Sequence, residues 1–407
     1  MKKIALIIAL ILTLSICAVL SACDGSDKTT TTTTAQGDPD SHTHDFGEWK
    51  ISQNPTCTTK GQGYRMCNSC GYTEAKIIEA FGHDEIVDKS NAPTCTETGL
   101  TEGKHCSVCG EVLVAQETLD ATGHAIKNGI CTVCGKDLTS KGLEFVSNGN
   151  GTCYVSGIGT CTDTEIIIPA VSPKGDSVTC IGYNAFANCT GLESIEIPDS
   201  ITSILKHAFY NCTSLKSVYI TDISVWLDIS FDSSFDSNPC CNGADLYVNG
   251  EKLIDLVIPD GVTSIGSSAF RGCTSLESII IPDSVTSIGD VAFSCCQSLQ
   301  SINISDSVTN IGRSAFYNCT NLTSITIPDS VTSIGGMAFY NCKSLERIDI
   351  PDSVTSIGEM VLYNCVSIKT INYSGTKAQW NAISKLLYWN SNTGSYTVYC
   401  TDGNISK

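Results

Sequence analysis

The sequence predicts an α/β solenoid with a 23-residue period. Small Cys/His-rich repeats of metal-binding type precede it. Two observations carry this. Pro259, Pro282, Ser305, Pro328 and Pro351 are evenly spaced, as are Cys273, Cys296, Cys319, Cys342 and Cys365, and Phe270, Phe293, Phe316 and Phe339. A fixed period in the twenties is the mark of stacked units, none of which can bury its apolar side alone. Upstream, Cys-x-x-Cys pairs recur at Cys67/Cys70, Cys106/Cys109 and Cys131/Cys134, each with a histidine before it.

Met1–Cys23 has the form of an export signal. Lys2 and Lys3 supply the charged start, and Ile4–Val19 supplies the apolar run. Leu20-Ser21-Ala22-Cys23 resembles a lipobox, which implies diacylation at Cys23. The alternative is an uncleaved anchor, since the run is just long enough to span a bilayer. Residues 24–43 hold the threonine run Thr29–Thr34 among Gly, Asp and Pro, the composition of a linker without a core. As a flexible chain it would hold the folded part roughly 20–25 Å from the anchor.

Residues 44–141 read as Cys/His repeats. Read His-first, the sets are His44, Cys57, Cys67 and Cys70; His83, Cys95, Cys106 and Cys109; and His124, Cys131 and Cys134. The other phase would let His83 close the unit before it. One histidine and three cysteines make a tetrahedral set for structural zinc. Gly71, Gly110 and Gly135 follow the pairs, where a left-handed turn would aim backbone N–H groups at the thiolates. Disulfides remain open, because an exported protein permits them. They would have to run between units, since three cysteines cannot pair within one. His105 reads as a bystander.

Residues 142–407 read as the solenoid. One unit is Leu276-x-x-Ile279-x-Ile281-Pro282-x-x-Val285-x-x-Ile288-Gly289-x-x-Ala292-Phe293-x-x-Cys296. Ile-x-Ile is a short strand with alternate residues inward. Proline ends it, having no N–H for the ladder. Ile288, Ala292 and Cys296 are spaced by four, which predicts a helical turn facing the same core. Residues 222–255 and 374–407 share a plan: a tyrosine seven before a tryptophan, then a hairpin at Asn249-Gly250 and Asp402-Gly403. Both read as caps, one internal and one terminal. The ladder cysteines read as small core hydrophobes. Cys153 with Cys161, and Cys240 with Cys241 or Cys400, are conceivable bridges.

This unit resembles the BspA-like leucine-rich repeat family from about Leu143 onward, and the Cys/His segments resemble cysteine-rich repeats of secreted bacterial proteins. The first resemblance implies adhesion to host or neighbouring-cell proteins; together with the lipobox-like Leu20–Cys23 the chain reads as a lipid-anchored cell-surface protein that binds an extracellular or host protein or a glycan. The anchor would place it on the outer face of the bacterial cytoplasmic membrane, on a Cys/His stalk. The alternatives are an envelope scaffold with no external ligand, or a non-catalytic binding module beside a separate enzyme.

The outward strand residues form the candidate binding face: Glu196, Tyr219, Asn303, Thr326, Arg347 and Asp349, beside a column of serines that could equally be a solvated face. With 24 basic against 42 acidic side chains, the net charge is −18, which argues against nucleic acid and against direct attraction to an anionic membrane. No nucleophile, metalloprotease, phosphate-loop or dinucleotide motif occurs, so no catalytic residue is expected. Asp199, Asp260, Asp283, Asp329 and Asp352 repeat with the turn and read as backbone acceptors there.

Overall fold

The computed structural model describes residues 43–232 and 236–407. Contacts divide the chain into two compact units, Met1–Gly123 and His124–Lys407. The signal, its Cys23 and most of the threonine linker lie outside the described residues.

The first unit repeats one small motif. Lys50–Gln53, Gly61–Met66 and Thr73–Ile78 form an antiparallel sheet, and Glu85–Asp88, Gly103–Cys106 and Val112–Val114 form another. Few large apolar side chains are buried here; the buried hydrophobic positions of residues 43–123 are Cys57, Cys67, Cys95 and Cys106. Arg65 instead lies over the rings of Phe46 and Trp49, at 4.4 and 4.9 Å from their centroids.

The second unit is a β-solenoid. The Ile-x-Ile segments are strands that pair in parallel, rung on rung, with Ser278↔Ser301, Ile279↔Ile302 and Ile281↔Ile304 in register. Ile279 and Ile281 face the core and Ile280 faces out. The rung then turns and contributes a second strand: Ser264–Ile265, Ser287–Ile288, Asn310–Ile311, Ser333–Ile334, Ser356–Ile357 and Ser384–Lys385 build a second sheet. The core lies between the two sheets.

The fold class is therefore β-solenoid rather than α/β. The helical turn expected over Ile288, Ala292 and Cys296 is a short strand followed by tight turns. The residues between explain this: Val291 and Cys295 have φ of 51° and 64°, and Met337 and Asn341 repeat the pair at 59° and 60°. A residue in the left-handed region cannot continue a right-handed helix. Among the described residues of the solenoid, regular α-helix is confined to Ile223–Leu227 and Lys377–Ala382, one at the start of each tryptophan-bearing segment.

Three ladders run through the core. Phe270, Phe293, Phe316 and Phe339 stack with centroids 5.4 to 5.6 Å apart and planes within 6°. Beside them the cysteine thiols donate to the phenylalanine carbonyl one rung back, Cys296 to Phe270 and Cys342 to Phe316, each at 3.2 Å. A glycine column allows the backbones to close up: a Cβ on Gly312 would stand 2.6 Å from the backbone of Gly289 and Asp290.

The internal segment ends the first run of rungs. Asp245–Val248 pairs with Ser217–Ile220 and turns back through Asn249 and Gly250, both at positive φ, into Glu251–Lys252. The strand sheet restarts at Asp255–Val257. Side chains join the two runs: Trp226 Nε1 donates to the Ala269 carbonyl at 2.9 Å, and Asn238 Nδ2 to the Ser268 carbonyl at 2.8 Å. At the C-terminus, Thr397–Cys400 and Gly403–Ser406 form the matching hairpin.

Candidate metal centres and recognition surface

Each Cys-x-x-Cys pair sits on a turn closed by its glycine. Gly71, Gly110 and Gly135 have φ of 72°, 75° and 73°, and their N–H groups bond to the carbonyls of Cys67, Cys106 and Cys131. The turn leaves other backbone N–H groups facing the first thiol. The N–H of Cys109 is the largest cause holding the Cys106 thiol down at about 6, and the N–H of Cys134 does the same for Cys131, also at about 6. Cys57 moves the other way, pushed up to about 11 by burial with its neighbouring thiols adding.

The histidine before each pair comes to it. Nδ1 of His44 lies 3.3 Å from Cys70 Sγ, that of His83 3.5 Å from Cys109, and that of His124 3.5 Å from Cys134. The cysteine between does not stay in its own repeat. Cys57 joins His83, Cys106 and Cys109, with its Sγ 3.8 Å from Cys106 Sγ, and the four ligand atoms all lie within 4.8 Å of one another. This corrects the expected sets: Cys95 is not a member of the His83 set, and His44, Cys67 and Cys70 gather as three. The reason is geometric. The Pro-Thr-Cys turn projects beyond its own sheet toward the next repeat, where Phe81 and Gly82 bond back to Thr56 and Cys57.

The separations suit a metal. Zn–S bonds near 2.3 Å and Zn–N bonds near 2.1 Å imply tetrahedral edges of about 3.6–3.8 Å. Among the described residues no disulfide forms, and Cys153, Cys161, Cys240, Cys241 and Cys400 are free thiols. Behind the ring of His83, Nε2 lies 3.5 Å from Glu111, a carboxylate placed to fix the ring's tautomer. His105 bonds to Asp88 at 2.8 Å and takes no part in the sets.

The outward strand residues divide into two groups. Arg347 forks onto Asp349, Nε to Oδ1 at 2.8 Å and Nη2 to Oδ2 at 2.7 Å, and Asp349 also accepts from Thr326 and Asn372. Asn303 is exposed on the preceding three-stranded sheet, next to the exposed apolar pair Val257 and Ile280. Glu196 is buried, which nothing in its strand pattern suggested. The hairpin of Ile126–Lys127 and Ile130–Cys131 covers it: Asn128 bonds twice to Asp199, and the Gly129 N–H bonds to the Glu196 carboxylate. Two of the turn aspartates accept from the next rung's side chains, Asp199 from Thr221 and Asp283 from Ser305, where nearby backbone N–H groups were expected as donors.

A profile of the BspA type leucine rich repeat region matches in six copies, over residues 161–238, 243–369 and 310–393, more than half of the chain. The chain belongs to this family. No curated protein matches it. Among solved structures, this BspA-type chain is similar to a leucine rich cell surface protein of Faecalibacterium prausnitzii, at 27% identity over 60% of this chain and 97% of that one, with a TM-score of 0.30. The leucine rich repeat protein of T. pallidum matches at 23% identity over 57% and 91%, with a TM-score of 0.33. A leucine-rich repeat protein of Bacteroides ovatus matches at 21% over 64% and 100%, with a TM-score of 0.28. The assignment rests on the repeat profile.

Proposed function

We propose that this chain is a lipid-anchored bacterial cell-surface protein whose solenoid recognises an extracellular or host protein or a glycan, with adhesion as its role. The observation that carries the reading is the rung geometry. An unbroken core holds the strands in register, while the outward positions Glu196, Tyr219, Asn303, Thr326, Arg347 and Asp349 differ from rung to rung. Such a face suits an extended partner better than a small substrate. The lipobox-like Leu20–Cys23 supports the anchor, and no helix of the described residues is long and apolar enough to cross a membrane.

The Cys/His sets are read as structural zinc sites. Cys57, His83, Cys106 and Cys109 would hold one ion; His44, Cys67 and Cys70 supply three ligands for another, and His124, Cys131 and Cys134 supply three more. The ion would contribute folding energy to a unit that buries little else. One observation favours the scaffold reading for part of the face: Arg347, Asp349, Thr326 and Asn372 satisfy one another, so a ligand there would have to break a closed network.

The test is a pull-down with the full chain against matrix proteins, glycans and envelope fractions. Capture of a partner, lost on mutating outward strand residues, supports recognition. Failure to retain anything from all three sources favours the scaffold.

A further inference from the structure

A cleft of ≈ 920 Å³ lies within the second unit, between the hairpin carrying Ile126 and Lys127 and the strands Glu165–Ile167, Ser194–Glu196 and Ser217–Ile220. Its wall carries five carboxylates, Glu165, Glu193, Glu196, Asp199 and Asp222, against two lysines. Most of these charges are engaged. Lys216 pairs with Glu193, Asp199 accepts from Thr221 and Asn128, and Asp222 caps the helix that follows it.

Glu196 is engaged on one side only, where the Gly129 N–H faces its carboxylate. The residue is 9% exposed, and its Oε1 is buried with no hydrogen-bond partner. A buried carboxylate oxygen without a donor is costly, so a protein that keeps one there has a use for it. Tyr219 stands on the next strand in register with Glu196 and also lines the cleft, its ring 4.9 Å from that of Tyr247.

From this arrangement we infer that the cleft binds an arginine side chain of a peptide segment, with the guanidinium donating to Glu196 and the Tyr219 ring beside it. A guanidinium is planar and weakly hydrated. It forks onto carboxylates and lies well against aromatic rings, which matches both groups present. The volume is that of a site for a short segment rather than a bare ion. A metal ion fits less well, because Asp199 has both oxygens committed and the cleft's carboxylates do not gather as the Cys/His sets do. This inference rests on the recognition reading above and names a chemistry for one end of its surface.

The experiment uses the full chain and three blocked tripeptides, acetyl-Gly-Arg-Gly-amide, its citrulline counterpart and its glutamate counterpart, by titration calorimetry at low salt. Citrulline keeps the shape and removes the charge. The expected result is binding of the arginine peptide, at least tenfold weaker binding of the citrulline peptide, none of the glutamate peptide, and at least a tenfold loss in Glu196→Gln. Equal binding of arginine and citrulline peptides by the natural chain would overturn the inference whatever the variant does. So would no binding of the arginine peptide, or calcium chloride binding that Glu196→Gln abolishes while the peptide is ignored. A pull-down partner whose capture is indifferent to Glu196→Gln would overturn the cleft and leave surface recognition standing.

Discussion

The thiol of Cys319 donates to the carbonyl of Phe293, one rung back, at 3.2 Å. That relationship explains why cysteine recurs at this position. The site is fully buried, and alanine would leave the carbonyl with only the longer bond from the Cys296 N–H at 3.3 Å. Cysteine fills the volume and adds a weak donor. Cys319→Ala should destabilise the solenoid by about 1–2 kcal/mol, from lost volume and a lost hydrogen bond. A thermal melt checks this, and an unchanged transition would refute the ladder's role.

The same burial makes these thiols inert. Desolvation pushes Cys365 up to about 12, and Cys296, Cys319 and Cys342 well above the ordinary thiol range. Only a thiolate is an effective nucleophile. Iodoacetamide at pH 8 should leave these four unlabelled in the native protein while exposed Cys70, Cys109 and Cys134 react in metal-free protein. Mass spectrometry of the labelled peptides gives the answer.

Gly312→Ala tests the backbone column. The added Cβ would meet main-chain atoms of Gly289 and Asp290 at 2.6 Å, and main chain cannot swing aside. Overpacking of this kind costs about 1–3 kcal/mol. A substitution at Gly261, where nothing lies within 4 Å but φ is 93°, separates crowding from backbone strain. Should Gly312→Ala melt with the natural protein, the rungs are not stacked at this spacing.

Glu196 gives a pH signature. Burial, ahead of its other influences, raises its carboxyl above the ordinary 4.5. The folded state therefore holds this proton more tightly than the unfolded state, and stability falls as pH rises from the unfolded value through the folded one. Glu196→Gln removes that loss. The variant should melt higher than the natural protein at pH 7 and match it near pH 4. An equal gain at both pH values would mean the effect is packing, not charge.

The main strands are legible in the sequence, and the second sheet is not. Ile-x-Ile followed by Pro placed the main strands, because alternation and a missing N–H are local signals. The second sheet was not visible. Its strands are two residues long, as in Ser287–Ile288, too short to alternate, and the spacing of Ile288, Ala292 and Cys296 imitates a helix. Nothing in a valine or a methionine announces the positive φ found at Val291 and Met337. Histidine-first reading brought His44, His83 and His124 to the right pairs. It grouped Cys57 with His44, whereas Cys57 gathers with Cys106, 49 residues away and reached only through the fold. Glu196 points outward from its strand, as alternation predicts, but toward a covering hairpin that strand periodicity cannot reveal.

The interleaved metal set has its own test. Cys57→Ser should lower bound zinc in the full chain. It should also shift the NMR signals of His83 rather than those of His44, since Cys57 gathers with His83. A shift at His44 alone would restore the repeat-by-repeat grouping.

The recognition claim is tested most directly by hydrogen exchange of the full chain with and without a captured partner. The account predicts added protection along Glu165–Ile167, Ser194–Glu196 and Ser217–Ile220 and the strands in line with them, with the second sheet at Ser264–Ile265 and Ser287–Ile288 unchanged. Protection confined to the second sheet, or spread equally over both, would contradict it.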